Sequence, residues 1–119
     1  MGLRYMDELT LSRIDSLLEH IELIFNDTNN LTIEEIEKNN LLLRATCFSI
    51  SQVGEMMVQL EKKLISEFPN LPWGRARGMR NIIVHNYRGT DIDMVYSTIQ
   101  KDLPELKQSF LEIKNKFVK

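Results

Sequence analysis

An all-α fold, an antiparallel up-and-down bundle of four to five helices, follows from three features of this sequence. Only three prolines and five glycines interrupt 119 residues, so few points exist where a helix must break. No stretch alternates apolar and polar residues with the sustained period of two that half-buried strands show. Apolar residues recur instead at steps of three and four, and the segments between them are short, which favours antiparallel neighbours.

The first helix is predicted from about Leu3 to Phe25, its buried stripe made by Leu11, Ile14, Leu17, Leu18, Ile21, Ile24 and Phe25. His20 falls at the edge of that stripe and reads as a boundary residue rather than a ligand. Asn26-Asp27-Thr28-Asn29-Asn30 is a turn cluster. Thr32 with Glu35 forms a capping box, which opens a short helix from Ile33 to about Lys38.

A long helix follows from about Asn40 to Phe68, stopped by Pro69. Its apolar residues cover more than one stripe, so it is either central to the bundle or shared with a second subunit. Gly54 in its middle weakens the helix and implies close approach of another backbone there. After Pro72 a helix is expected from about Trp73 to His85. Asp91 caps the last stretch, with Ile92, Val95, Tyr96, Ile99 and Leu103 inward. Asp102-Leu103-Pro104-Glu105 looks like a new helix start, so a kink or restart is expected there, with the helix continuing to Phe117.

The length fits one domain, residues 1–119, with 43% hydrophobic and 27% charged residues in the ordinary globular range. Cys47 is the single cysteine, so no intrachain disulfide forms, and its apolar neighbours favour a buried, inert thiol. No apolar run is long enough to span a bilayer, and an acidic pair follows the N-terminal Met-Gly-Leu-Arg-Tyr-Met. Two histidines 65 positions apart and one cysteine give no zinc-type spacing. The expectation is a soluble, cytoplasmic protein without metal or cofactor.

Residues Arg80 to Tyr87 read Arg-Asn-Ile-Ile-Val-His-Asn-Tyr and hold the best-equipped chemical site. A permanent cation, a group that titrates near neutral pH and a phenol fall within eight residues. Phe68 to Thr90 has no Asp or Glu but contains Arg75, Arg77, Arg80 and Arg88. A chain total of −2 with +4 in this window leaves −6 elsewhere. Bulk charge does not attract nucleic acid, whereas this local patch could, although individual arginines could instead pair with acidic helices alongside.

That residue set suits a phosphodiester. RNA is cleaved without metal when its own 2′-hydroxyl attacks the adjacent phosphorus, which requires a moved proton and a stabilised phosphate charge. His85 can move the proton, and Arg80 can hold phosphate oxygens in a bidentate fork. On one undistorted helix, at about 100° per residue, Arg80 and His85 point about 140° apart, while Arg80, Val84 and Tyr87 share a face. Either the helix frays near His85 or a second subunit completes the site.

Pro72-Trp73, Gly78-Met79-Arg80-Asn81, His85-x-Tyr87, Asp91 and Asp102-Leu103-Pro104-Glu105-Leu106, with Val53-Gly54-Glu55 in the long helix, resemble the HepT-like branch of the HEPN superfamily. The resemblance covers nearly the whole chain, and the Arg-x4-His-x-Tyr signature is intact. It implies an all-α bundle forming a homodimer, with two copies of the motif lining a cleft at the interface. It implies a metal-independent endoribonuclease toxin paired with a nucleotidyltransferase antitoxin of the MntA type, which silences it by adding AMP to the motif tyrosine. By position, Arg80 and His85 are catalytic, Asn81 is supportive, and Tyr87 is the AMP acceptor. Arg75, Arg77 and Arg88 are candidate RNA-binding residues. The alternative is a non-catalytic helical partner that presents substrate to a separate nucleotidyltransferase.

Overall fold

Most of the helices begin where a side chain satisfies the first free backbone N–H groups. A computed structural model describes residues 5–82 and 91–117, and every regular element among them is helical. Helix α1 spans Glu8–Thr28. Its start lies later than Leu3 because Asp7 is the cap: its carboxylate accepts from the Thr10 amide at 2.8 Å and the Thr10 hydroxyl at 2.9 Å. The Thr10 amide, then its hydroxyl, hold the Asp7 carboxyl below its usual range. At the other end α1 runs past Phe25 through Asn26–Thr28, whose expected turn is confined to Asn29 and Asn30. Asn30 turns the chain with φ of 62°, a conformation asparagine tolerates.

Helix α2 spans Ile33–Lys38, with both halves of the Thr32–Glu35 capping box formed, at 3.1 and 2.9 Å. Helix α3 spans Asn40–Leu64 and is capped by the Asn39 side chain. A 3₁₀ turn at Trp73–Arg75 leads into α4, Ala76–Arg80. Asp91 caps α5, Ile92–Ser97, accepting from the amides of Asp93 and Met94. A π-helical turn at Thr98–Asp102 joins α5 to α6, Leu103–Asn115.

The expected restart falls at Leu103, where α6 begins with Pro104 in its first turn, but the expected Asp102 side-chain cap does not form. Asp102 has helical backbone angles and caps nothing, because its carboxylate is taken by the Arg75 guanidinium. Pro104 lacks an amide hydrogen and crowds the preceding turn, and here the turn before it is widened rather than broken.

Ion pairs give the directions. Asp7 meets Lys63 at 3.5 Å, and His20 lies edge-on to Phe48, so α3 runs back along α1. Glu22 meets Lys107 and Asp15 meets Lys114, which sets α6 antiparallel to α1. The short α4 returns along α3, placing Ala76 and Arg80 beside Gly54. The result is an up-and-down bundle whose third member is reduced to a turn and five residues.

Its core joins Ile14, Leu17, Ile21 and Ile24 of α1 to Ile50, Val53, Met57 and Leu60 of α3 and to Leu103, Leu106 and Phe110 of α6. Burial of each such side chain contributes roughly 1.5–3 kcal/mol. Cys47 is buried among them. No described helix is long and apolar enough to cross a membrane.

Candidate functional site

A helix of five residues has no stability of its own, so α4 is held by what it docks on. Trp73 is the anchor on one side: its ring meets Phe110 edge-on at 6.2 Å, and its indole N–H donates to the Phe68 carbonyl at 2.9 Å. Ala76 and Met79 are buried on the core side of α4.

Gly54 is the anchor on the other side. A Cβ at this position would lie 2.4 Å from the Arg80 backbone nitrogen, 2.6 Å from the Ala76 carbonyl oxygen and 2.9 Å from the Arg80 Cα. All three are backbone atoms that cannot rotate aside. The close approach expected from Gly54 is therefore real, and the backbone that approaches is that of Arg80.

Docked in this way, Arg80 carries its side chain at the end of α4, 41% exposed, with Nη1 3.9 Å from Oε2 of Glu55, itself 38% exposed. That separation is an ion pair but too long for a hydrogen bond, so among the described residues no hydrogen bond to Glu55 takes up the guanidinium's donors. Glu55, quoted in the sequence only as part of Val53-Gly54-Glu55 and given no role there, is thereby a candidate site residue. The signal for it was its place beside Gly54, which reveals a partner only once α4 is known to pack there.

Arg77 is exposed on the same short helix, and Asn81 forms its C-cap, bonding its amide to the Arg77 carbonyl at 3.1 Å. Arg75 sits apart, paired with Asp102 across 27 residues of chain. The basic segment thus divides: Arg77, Arg80 and Asn81 gather at the end of α4, while Arg75 is engaged on its flank.

The helix expected to continue to His85 closes at Arg80. Asn81 has φ −91° and ψ 1°, and the Ile82 amide bonds the Met79 carbonyl at 3.3 Å, a tightened turn that draws Ile82 into the core. The single helical face expected for Arg80, Val84 and Tyr87 falls largely on residues 83–90, outside the described residues. His85, Tyr87 and Arg88 lie outside the described residues.

A second feature adjoins Arg80. On α3, Leu41 is 70% exposed and Phe48 52% exposed, and Glu55 follows at the same spacing of seven. Seven residues is close to two helical turns, so these three share a face that ends at Arg80. His20 packs edge-on against Phe48, half-buried as its place at the stripe's edge implied, with Nδ1 buried and without a hydrogen-bond partner among the described residues.

Comparison with known proteins gives a consistent set of matches. The model of the family described as Ribonuclease HepT-like matches residues 17–113. A protein of Methanocaldococcus jannaschii with a provisional RNase name is 30% identical over 97 residues, covering 82% of this chain and 80% of its own. Another with a provisional RNase name, from Caldanaerobacter subterraneus subsp. tengcongensis, is 28% identical over 103 residues, 87% of this chain and 92% of that protein. A "probable ribonuclease HepT" of Thermococcus cleftensis is 27% identical over 105 residues, 85% of this chain and 92% of that protein. No solved structure matches the chain.

Proposed function

The chain belongs to the ribonuclease HepT-like family, and from that premise we propose that it is a metal-independent endoribonuclease, the toxin of a toxin–antitoxin pair. The observation that carries this reading is Arg80: a half-exposed guanidinium fixed by backbone docking against Gly54, with an acid-free basic segment around it and His85 five positions on.

The chemistry needs only these side chains and the RNA. The ribose 2′-oxygen attacks the adjacent phosphorus; the O2′–P bond forms as the P–O5′ bond breaks, leaving a 2′,3′-cyclic phosphate and a 5′-hydroxyl. One proton leaves O2′ and one arrives at O5′, and His85 serves this transfer. Arg80 holds the phosphate oxygens as charge builds on them, and Asn81 supports the same oxygens from the end of α4. Arg77 and Arg88 bind flanking phosphates. Arg75, neutralised by Asp102, contributes less to that field.

The active form is a homodimer joined along the Leu41–Phe48–Glu55 face, which brings two copies of Arg80 to one cleft. A nucleotidyltransferase antitoxin of the MntA type silences the enzyme by adding AMP to the Tyr87 hydroxyl, placing phosphate and adenine where RNA would lie. The test is cleavage of RNA by purified protein and by His85→Ala, each with and without EDTA. His85→Ala is expected to lose roughly 10²–10⁴-fold in rate while the bundle stays folded, and the unaltered protein to cut equally well in chelator. Undiminished cleavage by His85→Ala removes the histidine from the mechanism. Loss in EDTA restored by magnesium removes metal independence.

A further inference from the structure

On the flank of α4 opposite Gly54 lies a cavity of about 200 Å³, between α4 and the π-helical turn. We propose that it is a subsite for one unstacked purine base of the RNA, next to the phosphate held by Arg80. The proposal rests on the ribonuclease reading and extends it to substrate recognition.

The floor is apolar: Met79 and Ile82 are buried, and Met94, 44% exposed, forms a wall. The facing wall includes the backbone of Gly74 and Gly78. A Cβ added to either glycine meets nothing within 4 Å among the described residues, so packing against them does not require glycine at these positions. What their missing side chains do is leave the cavity open, at a cost in helix propensity for Gly78. Whole small-molecule sites occupy roughly 300–1,000 Å³, so this space suits a ring system rather than an entire nucleotide. A purine fills it better than a pyrimidine, and methionine thioethers make favourable contacts with aromatic rings.

The rim supplies polarity without net charge. Arg75 and Asp102, joined through Nη1 and Oδ1, present N–H donors beside a carboxylate acceptor. A neutral pair gives little attraction for phosphate, but a donor beside an acceptor matches the edge of a nucleobase. Phosphate attraction belongs to the other part of the segment. Met79 and Ile82 bracket Arg80 and Asn81 in the chain, so the floor lies within one or two residue lengths, about 3.8 Å each, of the phosphate-holding residues. RNA crossing the end of α4 would set its phosphate on one flank and its base on the other.

The test uses the whole protein and two measurements. In the first, methyl resonances of Met79 and Met94 are followed during titration with adenosine and guanosine 5′-monophosphate, and separately with inorganic phosphate. The purine nucleotides are expected to shift both methyls and phosphate alone neither. In Gly78→Leu, whose side chain enters open space and fills the cavity, the shifts should vanish. In the second, Gly78→Leu should cut RNA with KM raised about tenfold, kcat kept, and any purine preference beside the cut flattened. Absent shifts at millimolar nucleotide, equal shifts with phosphate alone, or unchanged KM and cleavage positions in Gly78→Leu would overturn the subsite. RNA cleavage without methyl shifts sinks the subsite and leaves the ribonuclease reading intact. Methyl shifts in a protein that cuts no RNA sink the ribonuclease reading and keep the nucleotide site.

Discussion

The Arg80 backbone occupies the space that a side chain at residue 54 would need, with its nitrogen 2.4 Å from where a Cβ would stand. One helix thereby fixes the end of another through an absent side chain. Gly54→Ala is expected to force the two backbones apart, costing about 1–3 kcal/mol of overpacking against up to about 1 kcal/mol regained in helix propensity. The melting temperature should fall, and RNA cleavage should fall further than the folded fraction does, because Arg80 moves. A Gly54→Ala protein of unchanged stability and activity would show that the approach is not needed.

Glu55 faces the Arg80 guanidinium from α3, and on the proposed reading it would be a positioning residue. Glu55→Gln removes the charge but keeps the shape, freeing Arg80 to wander while leaving it more available to phosphate. The expected signature is kcat reduced about 10- to 100-fold with KM unchanged or lower. The opposite split, KM raised and kcat kept, would place Glu55 in RNA binding instead.

The exposed stripe of Leu41 and Phe48 gives a direct test of assembly. Both side chains are more than half exposed, so Leu41→Asp and Phe48→Asp should alter the stability of a lone chain by no more than about 0.5 kcal/mol. In a dimer built on this face they place charge in a dry contact. Sedimentation at micromolar concentration should show dimers for the unaltered protein and monomers for the double variant, with cleavage lost alongside. A double variant that stays dimeric and active moves the interface elsewhere.

Tyr87→Phe keeps the ring and removes the proposed acceptor hydroxyl. It should fold, retain roughly full toxicity and escape its nucleotidyltransferase, whereas the unaltered protein gains mass in steps of one AMP when the two are combined with ATP. Tyr5 and Tyr96 are internal controls. An adduct mapped to either, or silencing of Tyr87→Phe by AMP transfer, would reassign the acceptor.

What could be read from the sequence was mostly local. The Thr32–Glu35 box places α2 to the residue, and Asp91 caps α5 as its position suggested, since each involves partners within four positions. Gly54 was legible as a close approach because glycine weakens an apolar helix, and a backbone packed against the bare Cα offsets that loss. Contacts between distant segments were not legible. Asp102 has every local mark of a helix cap, yet the Arg75 side chain 27 residues away claims its carboxylate. The end of α4 was misplaced for the same reason: burial of Ile82 against the core outweighed the continuing run of apolar residues. Glu55 required both steps, a docked α4 and a helix that stops at Arg80.

Trp73, which seats the turn before Arg80, rests against Phe110 of α6. Phe110 follows the motif in sequence, so Arg80 is synthesised before the residue that supports its turn. A small domain folds as a unit, so the site is fixed when the whole bundle closes. A nascent chain would have α1, α2 and α3 available to pair while α4, too short to persist alone, still lacked its second wall. Arg80 would become fixed only after α6 was released and closed over Trp73. A chain of the proposed ribonuclease would therefore carry Arg80 unfixed until α6 has joined the bundle.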